Sequence, residues 1–230
     1  MTGAPLDQAV VSFFLGCGLS MRAAEEISAD AMASIGACPD NDEITTFLLS
    51  LIKRYVPDEH PVTYVSLPIT TGRAYLQWRA GLTAGARTAC TTSEAVRAAN
   101  RRRAERGIER LRRTLPGLLI DPSQLSDIPE WRQPDYHGFW TRLIAEYVDT
   151  IVFLDGWQYS VGCTVEFAEA IRLGLPTRTE LLDPLPVPAG LDLVEDALRE
   201  YDAAGVEPAG LRDAWQSARS FAIPAEKPKS

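Results

Sequence analysis

The run Ile151-Val152-Phe153-Leu154-Asp155-Gly156-Trp157-Gln158-Tyr159-Ser160-Val161-Gly162-Cys163-Thr164-Val165-Glu166 constrains the fold more than any other part of the chain. Its first four residues are apolar without alternation, the pattern of a strand in a parallel sheet covered on both faces. Asp155-Gly156 ends that strand. A helix is expected from Cys163, with Glu166 in its first turn, ending at Gly174 with Pro176 beyond it. Ligands of open α/β sheets bind beyond the carboxyl ends of the strands. Asp155 and Glu166 are therefore expected to flank a crevice.

Two further short runs read as strands, Val62–Ser66 and Leu118–Ile120, and the third spans Thr150–Leu154. A helix runs between the first two. It starts at Thr91-Thr92-Ser93-Glu94, which has capping-box spacing, and continues through an arginine-rich stretch to Leu115. A second helix, Phe139–Tyr147, precedes the third strand. Strand alternating with helix predicts an α/β fold, a doubly wound parallel sheet over residues 61–183. Residues 1–60 read as a helical N-terminal extension, with Leu6–Phe14, Met21–Ile35 capped by Ser20, and a helix opened by Asp42-Glu43 and closed by Pro57 and Pro61. Residues 73–90 read as a loop with a helical piece near Tyr75–Ala80. Residues 122–137, with three prolines and the aromatics Trp131 and Tyr136, read as a long loop suited to a lid. Pro184–Pro188 reads as a stiff connector into a helical C-terminal extension over 184–230, ending in a frayed tail from Pro224.

The composition excludes some classes of function. A net charge of −8 argues against a nucleic-acid polymer as partner. The basic stretch from Arg97 through Arg101-Arg102-Arg103 to Arg112-Arg113 reads as a solvated helix face balanced by Glu105 and Glu109; contact with an acidic partner is the alternative. No apolar run is long enough to span a bilayer, so no membrane partner is expected. The N-terminus lacks a basic segment before an apolar core. The four cysteines are scattered without C-x-x-C spacing, which fits a reduced, cytoplasmic setting. His60 and His137 have no Cys or His at ligand spacing, so no metal site is expected.

On a helical wheel Cys163, Phe167, Ala170, Ile171 and Gly174 form the sheet-facing side, Glu169 and Arg172 point toward water, and Glu166 lies on the flank. Taken alone, a carboxylate there is a favourable partner for the helix dipole. The chemical reading is a carboxylate aimed into the crevice, able to act as a nucleophile at a sugar. Ser160, Gly162 and the first N–H groups of the helix can hold a phosphate.

Three segments carry a family resemblance. Tyr64-Val65-Ser66-Leu67-Pro68-Ile69-Thr70-Thr71-Gly72 resembles a first strand and loop usually written Y-x-S-G-P-I-T-G, departing from it at Leu67. Ile120-Asp121-Pro122 resembles a second strand end. Asp155-Gly156-Trp157-x-x-Ser160-x-Gly162-Cys163-x-x-Glu166 resembles D-G-W-x-x-S-x-G-A/C-x-x-E. Together they resemble the nucleoside 2-deoxyribosyltransferase-like family, in its N-glycoside hydrolase and transferase branch. The resemblance implies a flavodoxin/Rossmann-like fold and cleavage or transfer of the bond between a base and a sugar. It implies that Glu166 is the nucleophile and that Asp155 contacts the base or its leaving nitrogen. Tyr64, Ser66, Thr70 and Gly72 would line sugar and base, with Gly156 and Trp157 beside them; Ser160 and Gly162 would receive a 5′-phosphate. Trp157 and Tyr159 either stack on a base or wall the crevice. No metal or organic cofactor is implied. The expected ligand is a small nucleoside or nucleotide, and the expected state a homo-oligomer. The alternative function is a non-catalytic nucleotide-sensing or protein-interaction module on the same fold.

Overall fold

Helix capping sets much of the N-terminal architecture. The computed structural model describes residues 3–33, 40–56, 60–84, 92–208 and 210–223. Expectations for Ile35, Cys38, Pro57, residues 85–91 with Cys90 and Thr91, and the tail 224–230 lie outside the described residues. Helix α1 is Gly3–Gly16, α2 Met21–Met32 and α3 Asn41–Tyr55. Ser20 caps α2, its Oγ accepting from Ala23 N–H at 3.3 Å. Asp40 and Glu43 close a reciprocal capping box on α3, at 2.8 and 3.0 Å. Ile44, Leu48, Leu49, Leu51 and Ile52 then form the buried stripe of α3.

The strands are β1 Val62–Ser66, β2 Leu118–Ile120, β3 Thr150–Phe153 and β4 Thr177–Thr179. They form a parallel sheet in the order β2-β1-β3-β4. Val62 pairs with Leu118 and Tyr64 with Ile120; Ile151 pairs with Thr177 and Phe153 with Thr179. β4 was not among the expected strands. Its residues Thr-Arg-Thr carry no apolar signal, and each is half-buried or exposed. The connector after it folds back: Leu185 N–H donates to Thr177 O (2.9 Å), and Thr177 Oγ1 donates to Leu185 O (2.6 Å).

The remaining helices are α4 Arg73–Ala84, α5 Ser93–Thr114, α6 Gln133–Tyr147, α7 Val161–Leu173, α8 Val187–Ala203 and α9 Leu211–Ala222. Thr92 caps α5, accepting from Ala95 N–H at 3.1 Å. Helix α4 is longer than the expected helical piece, and α6 begins earlier than Phe139. Its start is set by Asp135, whose Oδ2 accepts from Arg132 N–H at 2.7 Å. Pro134 stands in the first turn, where a missing N–H costs nothing. The expected lid is correspondingly shorter, and its Trp131 is buried against Tyr136 and Phe139.

The chain divides into two compact units, residues 1–65 with 108–150 and residues 66–107 with 151–230. In the first, α1 packs on α2 and on the 3₁₀ turn Pro122–Gln124. Gly16 is required there, because a Cβ on it would lie 2.8 Å from Asp121 O. Asp149 fixes the start of β1 by accepting from Val62 N–H at 2.8 Å. In the second, α7 is covered by α9, and α8 packs on α9 and on the 3₁₀ turn Trp157–Tyr159. No described helix is long and apolar enough to cross a membrane.

Candidate functional site

The carboxyl end of a strand leaves its last side chains and amides at the sheet edge, and the chain then turns into a helix. Ser66 is the last residue of β1 and Asp155 lies two residues beyond β3. Gly156 adopts φ +86°, a left-handed conformation that glycine takes at little steric cost, and the 3₁₀ turn Trp157–Tyr159 follows. Ser160 is the extended residue before α7. The helix therefore starts at Val161, two residues earlier than expected, and Glu166 sits in its second turn. This corrects the expectation of a first-turn carboxylate. Thr164 N–H bonds Ser160 O at 3.0 Å, closing the first turn of α7.

Ser66 Oγ donates to Glu166 Oε2 at 2.6 Å. Ser66 is buried and Glu166 half-buried. A hydroxyl donating to a carboxylate at this distance fixes the orientation of the carboxylate. Beneath them is Cys163. Burial and the nearby Glu166 carboxylate push its thiol well above the ordinary range, so it is a packing residue rather than a nucleophile.

The loop between β1 and α4 closes over the same turn. Thr71 Oγ1 donates to Ser160 Oγ at 3.1 Å. Asn100 of α5 clamps this loop, donating to Thr71 O (2.7 Å) and Ile69 O (3.2 Å). Gly72 has φ +94°, and a Cβ there would lie 2.7 Å from Pro68 Cβ, so glycine is required on both counts. Thr70 is exposed.

Asp155 is about half exposed and forms an ion pair with Arg103 of α5. Its amide donates to Glu180 Oε2 at 3.2 Å. Arg73, the first residue of α4, bonds the Tyr159 hydroxyl, which donates in turn to Glu200 Oε1 of α8 at 2.7 Å. Burial pushes the Tyr159 phenol up from its ordinary value, and its bond to Glu200 adds to this. The bond to Tyr159 holds the Arg73 guanidinium above its ordinary range, with smaller contributions from Glu200 and Asp155.

The structure thus brings Ser66, Gly72, Asp155, Gly156, Ser160, Gly162 and Glu166 to one end of the second unit. Trp157 is there too, but buried between Phe153 and Phe167, with ring centroids at 4.6 and 4.9 Å. That makes it a wall of the core rather than a stacking platform. Tyr64 is 0% exposed and packs beside Trp140 in the first unit, at 5.8 Å between centroids. His137 is on α6, where burial lowers its pKa and Gln133 is its neighbour at 2.9 Å. Asn100, Arg103 and Glu200 carry no mark in the sequence as site residues. Each lies on a helix far along the chain from its partner, and only tertiary packing reveals it. Arg103 belongs to a run that reads as a solvated face.

Among the described residues, no group of three or more His, Cys, Asp and Glu side chains is arranged to hold a metal ion. No family model matches the chain, and no curated protein or solved structure shows significant similarity to it.

Proposed function

We propose that the protein cleaves or transfers the N-glycosidic bond of a nucleoside or nucleotide, with Glu166 as nucleophile. The observation that carries this reading is the Ser66–Glu166 hydrogen bond of 2.6 Å at the carboxyl end of β1. It joins the first and third segments of the family resemblance, a hundred residues apart. The strand order β2-β1-β3-β4 supports the flavodoxin-like form of the fold, whose order begins in the same way.

In this reaction a Glu166 oxygen attacks the anomeric carbon as the carbon–nitrogen bond breaks. The bonding pair leaves with the base, whose nitrogen takes up a proton. Water or a second base then attacks the same carbon and gives up a proton to solvent; the carbon–oxygen bond to Glu166 breaks, restoring the carboxylate and giving the free sugar or a new nucleoside. Ser66 orients the nucleophile. Asp155, held by Arg103, supports the sugar or the leaving base. No metal or organic cofactor takes part. A homo-oligomer is part of the same proposal, and light scattering of the purified protein reads it directly.

The test is base release from a panel of nucleosides, nucleoside monophosphates and dinucleotides, followed by chromatography. Wild type is expected to release base. Glu166→Gln, isosteric and still able to accept from Ser66, is expected to lose at least a thousandfold in rate, on the order of removing an essential catalytic group, with unchanged thermal unfolding. A fully active Glu166→Gln protein would refute the covalent mechanism. Ligand binding without base release from any substrate would favour the sensing module.

A further inference from the structure

Arg73 stands where the β1–α4 loop meets the turn before α7. Its guanidinium lies over the Tyr159 ring, 4.8 Å from the centroid, and bonds the Tyr159 hydroxyl. Tyr159 is followed by Ser160, whose hydroxyl meets Thr71. A free cation at this position would attract an anionic ligand group. This one already has a counter-charge: Glu200 Oε1 is 3.6 Å from Arg73 Nη2 and accepts from the Tyr159 hydroxyl at 2.7 Å. Glu200 comes from α8, beyond the segments that carry the family resemblance. It is held in place from below, since Tyr201 Oη donates to Tyr159 O at 3.2 Å and Tyr201 is buried. Arg103, at the same end of the unit, is paired with Asp155.

Arg73 and Glu200 are each about half exposed, at 50% and 51%. A pair so exposed contributes little to folding stability. Its effect falls on what can approach. A phosphate reaching for Arg73 must displace Glu200, or sit beside its carboxylate and be repelled. An uncharged sugar hydroxyl meets no such cost.

We infer that Glu200 is a specificity-determining residue: by countering Arg73, it sets this site for an uncharged nucleoside and against the corresponding 5′-monophosphate. This rests on the N-glycoside reading of the site. It assigns a role in substrate choice to the C-terminal helix α8, beyond its packing on α9 and on the turn Trp157–Tyr159.

The experiment compares kcat/KM for base release from one nucleoside and its 5′-monophosphate, in wild type, Glu200→Gln and the double variant Arg73→Gln/Glu200→Gln. The glutamine keeps an acceptor for the Tyr159 hydroxyl and removes only the charge. Wild type is expected to prefer the nucleoside. Glu200→Gln is expected to shift the ratio toward the monophosphate by roughly tenfold, the effect of one charge contact near a surface, through the KM of the monophosphate. The double variant should lose that gain. A wild type that prefers the monophosphate, or a ratio unmoved by Glu200→Gln, overturns the inference; so does an equal loss on both substrates, which would mark Glu200 as structural only. Titration calorimetry with the same two compounds separates this from the parent reading. If no base is released from either, the glycosidase proposal fails, and the shift in relative affinity on Glu200→Gln still decides the role of Glu200.

Discussion

Asp121 shows how a single side chain can serve local geometry at an electrostatic cost. Its Oδ1 accepts from Ser123 N–H (3.0 Å) and Ser123 Oγ (2.7 Å), capping the 3₁₀ turn after β2. It is buried, and burial pushes its carboxyl above the ordinary range, against smaller opposing effects from Ser123, Arg112 and Gln124. A carboxyl raised in the folded state favours folding below its unfolded pKa and loses that contribution as pH rises through the folded value. At neutral pH the buried charge is therefore a net cost. Asp121→Asn keeps an oxygen for Ser123 and removes the charge. The variant is expected to melt above wild type at pH 7, with the difference closing as pH falls through the raised folded-state value and gone once pH is below about 4, the ordinary aspartate range. Melting curves across that interval check it. A variant that is less stable at pH 7 would mean that the carboxylate's attraction to Arg112 outweighs its desolvation.

At the scale of elements, apolar run length and turn residues made β1, β2, β3 and most helices legible, while anything set by a neighbouring element stayed hidden. Gly174 ends α7 as expected, with φ +67° and Leu175 N–H returning to Ala170 O at 2.9 Å. The wheel of α7, by contrast, put Glu169 toward water. It is only 7% exposed, on a helix against which α9 packs, and Arg172 bonds its carboxylate through Nε at 2.8 Å. A wheel reports one helix's periodicity and says nothing of what arrives from 40 residues later. Ser66 and Glu166 were legible because strand ends and the motif spacing both point to them. Arg103, Asn100 and Glu200 had no such local mark. The contact of α8 with α7 gives a prediction of this kind. A Cβ at Gly190 would lie 2.2 Å from Phe167 Cζ, and Phe167 is pinned by Phe153 and Trp157. Alanine normally stabilises a helix interior relative to glycine by up to ~1 kcal/mol. Here overpacking costs ~1–3 kcal/mol, so the sign reverses. Gly190→Ala is expected to lower Tm, by roughly 2–4 °C for each kcal/mol of net cost at this chain length, read by calorimetry. A rise in Tm would show that α8 can shift off Phe167 freely.

For the whole molecule, the order of segments matters more than their composition. The first compact unit joins residues 1–65 to 108–150, and the second joins 66–107 to 151–230. Each is therefore closed by contacts distant in sequence, including Asp121 N–H to Gly16 O (3.2 Å) in the first and Tyr159 to Glu200 in the second. A contiguous fragment spanning residues 61–183 holds all four strands and Glu166. It lacks α1, which supports the end of β2, and it lacks α9, which packs on α7, and α8, whose Gly190 meets Phe167. Stripped of that cover, α7 would expose the edge of Phe167 that meets Gly190 and the face on which α9 packs. Surface of this kind favours association over a cooperative fold. The 61–183 fragment is expected to show no cooperative thermal transition and weak amide protection in α7, whereas the intact chain unfolds cooperatively with α7 among its slowest-exchanging segments. Hydrogen exchange read by mass spectrometry distinguishes the two. A fragment with a sharp transition and protected α7 amides would show that the sheet and its own helices suffice, and that the terminal helices serve the site alone.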